Sequence, residues 1–581
     1  MPTSLAMTLA ATLASTIAAF VPLSILSPAA YAAASLTRVA DPHTAVSTGV
    51  WRKPAMVPGI SSLNLYPFNG AKTSSVSCPT RGWCGAGGVY QDVHGKQQVF
   101  VVVGGPEGSG RARQLPGLSA LNFGDADLMA LSCASPGYCS AGGSYQDASL
   151  STRAFVADEV HGSWLPAHTL IESPSGFAQQ VTAESCTKAG SCTAVGMSAN
   201  DLPFVADEAN GIWGAAVSAP GFAALGTLGS LITLSCASPG DCSAGGYAGN
   251  STIPENPQAF VVNETAGTWQ TAEDVPGIAT LNAQNWASVT SISCGAPGDC
   301  SAAGYYTDAQ GYQQVFIASD GGGVWSTGKE LPGTAALNGG GGATIASISC
   351  RGAASCTVAG SAMVHQGTGS YYGTEPVVAD EIAGAWHGAH VVPGALGLPQ
   401  SVPSSISCSS PGTCTVVGSY TFEGKFGEPF FVDEVHGIWQ REVAIPGMRP
   451  FEHTSGATEL LAVSCVARST CLAGGWVSVT YGARWQAMLI SETPPPPAPQ
   501  ITKLAPSSGR SRGGTSVVVY GLHLESAMGV RFGSRAATHV VIINPDSLRV
   551  TTPPGSGTVL VKVTTSGGTS AATPRARFTY K

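Results

Sequence analysis

Residues 404–420, SSISCSSPGTCTVVGSY, contain two cysteines that are separated by five residues and followed by a glycine. The same Cys-x5-Cys spacing recurs every 50 to 58 residues and uses all 16 cysteines of the chain. A fixed spacing that recurs at such an interval is the signature of a structural repeat. The pairs are Cys78 with Cys84, Cys133 with Cys139, Cys186 with Cys192, Cys236 with Cys242, Cys294 with Cys300, Cys350 with Cys356, Cys408 with Cys414, and Cys465 with Cys471.

Each repeat has the sequence chemistry of four short antiparallel strands. A hydrophobic run leads into Ser-Cys, a turn that often contains Pro-Gly joins the two cysteines, and Cys-[Ser/Thr]-x-x-Gly follows. Proline and glycine favour turns because they preset or tolerate special backbone dihedrals. A variable loop, a run like AFVADE, a Gly-x-Trp and a Val-Pro-Gly complete the unit. Four strands per unit, repeated eight times, predict an all-β fold, an eight-bladed β-propeller.

The two ends of the repeat region predict how the ring closes. The eighth repeat stops after its third strand, at residues 491–492, and has no Gly-x-Trp of its own. An unpaired fourth-strand sequence, residues 49–51 followed by Val-Pro-Gly at 57–59, precedes the first repeat. We therefore predict that the N-terminal strand completes the eighth blade, a strand exchange that leaves no exposed sheet edge.

The even number of regularly spaced cysteines predicts disulfides if the chain enters an oxidising compartment. Zinc sites of four thiolates are the alternative, but metal-binding pairs usually have shorter spacings, and each site would have to join two repeats. We predict eight local disulfides, each within one Cys-x5-Cys pair.

Residues 1–34 are apolar, rich in small residues, and end in AYA and AAA triplets that suit a signal-peptidase site. This predicts a secretory signal peptide, although its first part contains no Lys or Arg. An uncleaved membrane anchor is the alternative, because the stretch is long enough to span a bilayer. After cleavage we expect no membrane span and a secreted or extracellular protein, associated with the cell wall or released.

Composition excludes some classes of protein. Hydrophobic residues make up 44% of the chain and charged residues only 11%, which is not the composition of a disordered protein. The net charge is −8 and no block of Lys or Arg occurs. A nucleic-acid partner is not expected, since it would need a basic surface to neutralise phosphates.

The C-terminal region differs from the repeats. A proline-rich linker, TPPPPAP at 493–499, precedes a segment at 500–581 that contains ITKLAPSSG (501–509), GGTSVVVYGLHL (513–524), VRFG (530–533), VTTPPGSG (550–557), VLVKVTTSGGTS (559–570) and a terminal FTY (578–580). This segment resembles an IPT/TIG domain. The resemblance implies an immunoglobulin-like β-sandwich that acts as an accessory interaction or spacer module. The propeller region, predicted at 35–492, resembles secreted repeat proteins of actinobacterial type, a likeness that implies no defined activity.

Recurring acidic residues are the first candidates for chemistry. Asp-Glu dipeptides occur at 158–159, 207–208, 380–381 and 433–434. Two carboxylates could serve a glycosidase, and several oxygens could bind calcium. Because each pair holds the same repeat position, we predict a structural role at a turn.

Other catalytic signatures are weak. Asp320, Gly322 and Trp325 come nearest to the Asp-box of sialidases, but Ala318 replaces its serine. His387 and His390 lie in a strand-rich context and are not expected to bind metal. We predict no catalytic, cofactor-binding or metal-binding residues.

The variable loops carry the candidate binding residues. The loops between the second and third strands should share one face of the propeller with the links between blades. Tyrosine with Asn, Gln and Gly suits recognition of a polar ligand, although these tyrosines could simply close each second strand. The predicted ligand-binding residues are Tyr90, Tyr145, Tyr247, Tyr305, Tyr306, Tyr371, Tyr372 and Tyr420.

The predicted function is a non-enzymatic binding or adhesion protein that recognises a glycan or protein ligand through this loop face. A polysaccharide-acting hydrolase or lyase with a site in the propeller channel is one alternative, and a structural envelope component is another. We expect a monomer that requires no cofactor.

Overall fold

The computed structural model describes residues 49–66, 70–104, 110–171, 178–250, 257–283, 286–339, 341–365, 372–395, 400–422, 425–445, 458–480, 484–494, 497–565 and 567–581. The predicted signal peptide and Tyr371 lie outside these residues. Within the described residues, no helix is long and apolar enough to cross a membrane.

The repeat region consists of eight antiparallel sheets, which we number 1 to 8 in the order of their cysteine pairs. The first three strands of each sheet are consecutive in sequence and form a meander. First strands are Lys72–Thr80, Ala126–Ser135, Ala178–Lys188, Leu228–Ser238, Ser288–Ala296, Ala343–Cys350, Ser401–Ser410 and Thr458–Ala467. Second strands are Trp83–Gln91, Tyr138–Gln146, Ser191–Ser198, Asp241–Gly249, Asp299–Thr307, Cys356–His365, Thr413–Phe422 and Thr470–Thr480. Third strands are Gln97–Val103, Thr152–Val160, Pro203–Ala209, Gln258–Thr265, Gln313–Ser319, Tyr372–Ile382, Lys425–Val435 and Arg484–Thr493.

The fourth strand is divided into two short pieces that pair with successive parts of the third strand. The first piece contains the Gly-x-Trp tryptophan and is described as Val50–Trp51, Ser163–Trp164, Ile212–Trp213, Thr268–Trp269, Ala385–Trp386 and Ile438–Trp439. The second piece is Ala55–Met56, Arg113–Gln114, His168–Thr169, Val217–Ser218, Glu273–Asp274, Lys329–Glu330, His390–Val391 and Val443–Ala444. Short helical turns in the links between sheets are Ile60–Ser62, Leu118–Leu121, Phe222–Ala224, Ile278–Leu281 and Thr334–Leu337.

The predicted disulfides are confirmed, because every Cys-x5-Cys pair is bonded within itself, with Cα–Cα distances of 3.9–4.1 Å. The bonds join Cys78 to Cys84, Cys133 to Cys139, Cys186 to Cys192, Cys236 to Cys242, Cys294 to Cys300, Cys350 to Cys356, Cys408 to Cys414, and Cys465 to Cys471. The two cysteines lie opposite each other on the first and second strands, as Cys133 and Cys139 do. Each bond therefore ties a hairpin at its turn, and its contribution through chain entropy is modest, about 2 kcal/mol, because the closed loop is short.

Steric constraints explain why glycine recurs at the end of the Cys-[Ser/Thr]-x-x-Gly pattern. In sheet 2, a β-bulge at Met129 shifts the register of the first strand against the second. A Cβ added to Gly143, opposite the bulge, would overlap the backbone carbonyl oxygen of Asp127 and would also meet the ring of Phe155 at 3.1 Å. Phe155 is fully buried. Only glycine allows the second strand to pass between the bulge and this ring.

We predict that Gly143→Ala destabilises the propeller by about 3 kcal/mol, because the added methyl group overpacks a rigid backbone contact. Gly321→Ala is the matched control, since a Cβ there meets no atom within 4 Å. Thermal unfolding of both variants checks this expectation. Equal melting temperatures for the two variants would show that the bulge can relax.

The first strands form the inner wall of a closed ring. Each packs against the first strand of the next sheet, and the first strand of sheet 8 packs against that of sheet 1. The serine of each Ser-Cys accepts a hydrogen bond of 2.9–3.1 Å from the backbone N–H of the corresponding cysteine in the next sheet. At the seam, the N–H of Cys78 donates to Ser464 Oγ at 3.0 Å. The ring of eight hydrogen bonds is therefore continuous.

The N-terminal strand completes the last sheet, as predicted. Val50 and Trp51 pair with Thr493 and Glu492 of the third strand of sheet 8. The Trp51 side chain is 2% exposed and packs against Phe431 of sheet 7, with ring centroids 5.2 Å apart. The seam is thus fastened by main-chain pairing on one side and by aromatic packing on the other.

The C-terminal region forms two antiparallel-rich sheets around a separate core. One sheet contains, in order, Gln500–Ala505, Ser516–Leu522, Ser547–Thr551 and Thr538–Asn544. The other contains Ser508–Gly509, Arg577–Tyr580, Thr558–Thr565, Gly529–Phe532 and Arg535–Ala536, with Gly568–Thr569 beside Thr558–Thr565. A short helical turn, Pro574–Ala576, precedes the last strand. Alternating buried valines such as Val517 and Val519 face Phe578 in the core. The predicted fold class, an all-β propeller followed by an immunoglobulin-like sandwich, is confirmed.

Candidate functional site

The links between sheets and the loops between second and third strands lie on one face, which we call the loop face. The asparagine of each Leu-Asn link connects them. Asn338 donates to the backbone carbonyl of Gln313 at 3.0 Å, and Asn64 accepts from the N–H of Gln91 at 3.1 Å. Both asparagines are buried. The loop face is therefore built on a hydrogen-bonded base, from which variable side chains project.

Four of the eight predicted tyrosines lie mainly inside the sheets. Tyr90, Tyr145 and Tyr306 are buried among apolar residues between sheets, and Tyr420 is half-buried beside such a cluster. The Tyr145 hydroxyl is hydrogen-bonded to Thr169 Oγ1 at 2.5 Å. These positions correspond to the alternative in which tyrosine closes the second strand. Tyr371 and the side chain of Tyr372 lie outside the described part of the chain.

Tyr247 and Tyr305 project differently, because they occupy the preceding position of the second strand and side chains alternate along a strand. Both are partly exposed. Tyr247 lies beside Trp286 of the link that follows sheet 4, with ring centroids 6.0 Å apart, and Trp286 is 41% exposed. Burial and then Asp201 raise the pKa of Tyr247; burial and then Tyr247 raise that of Tyr305. Tyr247, Trp286 and Tyr305 form what we call the aromatic cluster.

Sequence reasoning missed Trp286, and it also missed a second aromatic pair. Trp476 takes the position of Tyr247 in sheet 8 and stacks on Trp485, with ring centroids 4.8 Å apart. Trp476 Nε1 donates to Glu459 at 3.1 Å, and Trp485 is 39% exposed. Three of the 11 tryptophans thus lie on the loop face outside the fourth-strand Gly-x-Trp position. Their departure from the repeat is a signal that the sequence contained.

The Asp-Glu dipeptides have a structural role, as predicted, although the contact differs from a simple turn. In three of the four dipeptides, the aspartate accepts a hydrogen bond from the indole N–H of the Gly-x-Trp tryptophan of the next sheet. Trp213 Nε1 lies 3.1 Å from Asp158 Oδ2, and Trp269 Nε1 lies 3.0 Å from Asp207 Oδ2. Trp439 donates in the same way to Asp380. The dipeptide and the tryptophan therefore form one latch between neighbouring sheets.

The residues of sheet 5 that resemble an Asp-box also take part in this latch. Asp320 pairs with Trp325 in an isolated bridge, the place where the other sheets pair Glu with Trp. Trp325 Nε1 donates to Asn263 at 3.0 Å, and Asn263 donates to Asp320 at 3.2 Å. Asp320 thus connects sheets 4 and 5 through side-chain hydrogen bonds.

The glutamate of each dipeptide is buried beside the latch. Burial raises the pKa of Glu159 to about 7. Burial and then Asp158 raise the pKa of Glu208 to about 7, and burial and then Asp380 raise that of Glu434 to about 8. Within the described residues, no group of three His, Cys, Asp or Glu side chains could hold a metal ion. The crevices between sheets are therefore lined by carboxyl groups that favour the protonated form.

These pKa shifts predict a pH dependence of stability. A carboxyl whose folded-state pKa exceeds its unfolded value near 4.3 stabilises the fold below that value, and this contribution is lost as pH rises toward 8. We expect the melting temperature to fall between pH 5 and pH 8, and Glu434→Gln to reduce this fall. Exposed Glu273→Gln is the control and should leave the profile unchanged. Differential scanning calorimetry at several pH values tests the expectation; a stability that rises over this window contradicts it.

Comparison with known proteins identifies the second domain. Residues 499–580 match the IPT/TIG domain family. No curated protein matches the chain in sequence.

Solved structures with similar chain traces are all distant. An ulvan lyase of polysaccharide lyase family PL25, bound to -[GlcA(1-4)Rha3S]-, is 13% identical with a TM-score of 0.37, and the match covers 62% of this chain and 91% of that one. The β-propeller domain of the Trilobed protease from Pyrococcus furiosus is 9% identical with a TM-score of 0.36, covering 64% and 97%. Trypanosoma rangeli sialidase is 9% identical with a TM-score of 0.31, covering 66% and 57%. At these scores none of them carries a functional argument for this chain.

Proposed function

We propose that this chain is a secreted or cell-surface binding protein that recognises a glycan through the loop face of its propeller, without catalysis. The observation that carries the proposal is the aromatic cluster, in which Tyr247, Trp286 and Tyr305 are partly exposed and the rings of Tyr247 and Trp286 lie 6.0 Å apart. Aromatic side chains with a polar edge offer both an apolar surface and hydrogen bonds to a sugar ring. Eight disulfides support an oxidising, extracellular setting.

The loop face suits recognition because its base is rigid and its side chains vary. In the link that contains Trp286, the buried Asn282 donates to the backbone carbonyl of Pro257 at 3.2 Å and accepts from the N–H of Thr307 at 3.3 Å, which supports a base that is ordered before a ligand arrives. Preorganised contacts lose less conformational entropy on binding. The second aromatic pair, Trp476 and Trp485, offers another surface of the same kind on the same face.

A protein ligand at the same face, a polysaccharide-acting hydrolase or lyase, and a structural envelope component are the other functions considered. Three of the four recurring aspartates, Asp158, Asp207 and Asp380, accept hydrogen bonds from tryptophan indoles between sheets, which supports binding over hydrolysis. The actinobacterial-type likeness and association with the cell wall stay predictions, as do a monomeric state and the absence of a cofactor.

We expect Trp286→Ala to weaken co-sedimentation with insoluble polysaccharides by about tenfold or more, because truncation removes an exposed aromatic platform. Cellulose, chitin and peptidoglycan are incubated with the disulfide-bonded protein, and both the bound fraction and new reducing ends are measured. Tyr520→Ala, an equally exposed aromatic residue of the C-terminal domain at 41%, is the matched control and should bind normally.

New reducing ends would contradict the non-catalytic proposal and favour the hydrolase. Unchanged binding by Trp286→Ala would move the site away from the aromatic cluster. Protein that binds no polysaccharide but sediments by itself would favour a structural role.

A further inference from the structure

Sheet 1 departs from the sequence repeat at its outer side. Register with the second strand places Val103 where sheets 2, 3, 6 and 7 have the aspartate of the latch. The first piece of the fourth strand, which contains the tryptophan in its neighbours, has no counterpart among the described residues of sheet 1. On that side, the pairing that the described residues show for the third strand is with Arg113–Gln114.

This departure leaves the tryptophan of sheet 2 without its usual acceptor. Trp164 holds the position from which Trp213 and Trp269 donate to an aspartate of the preceding sheet. Its Nε1 is shielded from solvent and has no hydrogen-bond partner among the described residues. Nε1 of Trp386 is likewise shielded from solvent and has no hydrogen-bond partner among the described residues. Trp386 faces sheet 5, where Ser319 occupies the position of the aspartate. Among the described residues, the indole N–H of Trp164 therefore lacks the hydrogen bond that those of Trp213 and Trp269 make.

Cationic side chains surround the incomplete latch. A cavity of about 290 Å³ is lined by Arg111, Arg113, Gln114, Ser163 and Trp164, together with Val101, Pro116 and Gly162. Neither guanidinium has an ion pair or hydrogen bond with another described residue. In a chain with 27 basic and 35 acidic residues, two such arginines in one cavity are an unusual concentration of positive charge.

Arg111 is held in position by its surroundings. Its side chain lies over Gly59 of the Val-Pro-Gly link, where an added Cβ would come within 2.6 Å of Arg111 Cγ. Arg113 is placed by main-chain pairing with Val101. Between them, the N–H of Ala112 donates to the carbonyl of Pro58 at 2.7 Å, so the backbone of both arginines is fixed between the Val-Pro-Gly link and the third strand.

We propose that this cavity binds a carboxylated sugar residue, a uronic acid. Guanidinium groups match the planar carboxylate with paired, charge-assisted hydrogen bonds. The Gln114 amide and the Ser163 hydroxyl, which line the cavity, can serve ring hydroxyls. The cavity is near the lower limit of small-molecule sites, roughly 300 Å³, which suits a ligand the size of one sugar residue. This site differs from the aromatic cluster, so either can fail without the other.

The test uses the full disulfide-bonded chain and sodium glucuronate, with glucose as the neutral analogue. Isothermal titration calorimetry measures affinity, and the indole N–H resonance that disappears in Trp164→Phe reports the site. We expect glucuronate to bind and shift this resonance, and glucose to do neither. Arg113→Gln should weaken binding by about tenfold, and raising the salt concentration should weaken it in the wild type. Lys96→Gln, which removes a lysine located over Phe123, is the charge-matched control and should bind normally.

If Arg113→Gln is unstable, a second variant tests the same cavity. Val103→Asp restores the aspartate that sheets 2, 3, 6 and 7 have at this register position and should abolish glucuronate binding, because the added negative charge disfavours an anionic ligand. Equal binding of glucose and glucuronate, no binding of glucuronate, or unchanged affinity in both variants would overturn the proposal.

Discussion

The hydrogen bond from the cysteine N–H of one sheet to the serine hydroxyl of the preceding sheet is the contact on which the propeller depends. It recurs eight times at 2.9–3.1 Å and joins Cys78 to Ser464 across the seam. Each such bond contributes only about 1 kcal/mol, but it sets the register between sheets. The disulfide beside it fixes the hairpin turn. Because each Ser-Cys dipeptide donates to one neighbouring sheet and accepts from the other, repeating that dipeptide repeats the geometry of the ring.

A second contact, farther from the axis, distinguishes one sheet from another. The latch between an aspartate and the next tryptophan holds where both residues are present, as for Asp158 and Trp213. Where the aspartate is Val103 or Ser319, the facing indole has no partner in the described part of the chain. The same is true of Trp51, although Asp433 occupies the corresponding position in the preceding sheet. The inner ring of serine–cysteine hydrogen bonds is thus the same in all eight sheets, whereas the outer contact between aspartate and tryptophan differs from sheet to sheet.

Much of the architecture could be predicted because it follows from short local patterns. The disulfides and the N-terminal strand exchange followed from the spacing of the repeats, and the sandwich followed from the resemblance of residues 500–581 to an IPT/TIG domain. The exposure of the tyrosines was harder to predict, since a one-residue step along a strand moves a side chain to the other face of the sheet. Tyr305 and Tyr306 are adjacent in sequence, yet one is partly exposed and the other buried. Trp286 was missed because it belongs to a link, and its contact with Tyr247 is a tertiary one.

In a ring of similar sheets, residues that obey the repeat are explained by the repeat, and binding specificity has to come from residues that depart from it. The aromatic cluster and the cavity beside Trp164 are two such departures, and they offer a ligand different interactions. The aromatic cluster buries neutral surface, and such contacts respond little to salt. The cavity beside Trp164 relies on Arg111 and Arg113, whose attraction for an anion is screened as ionic strength rises. A ligand that engages both surfaces would therefore lose only part of its affinity in high salt, so the salt dependence of binding separates the two contributions.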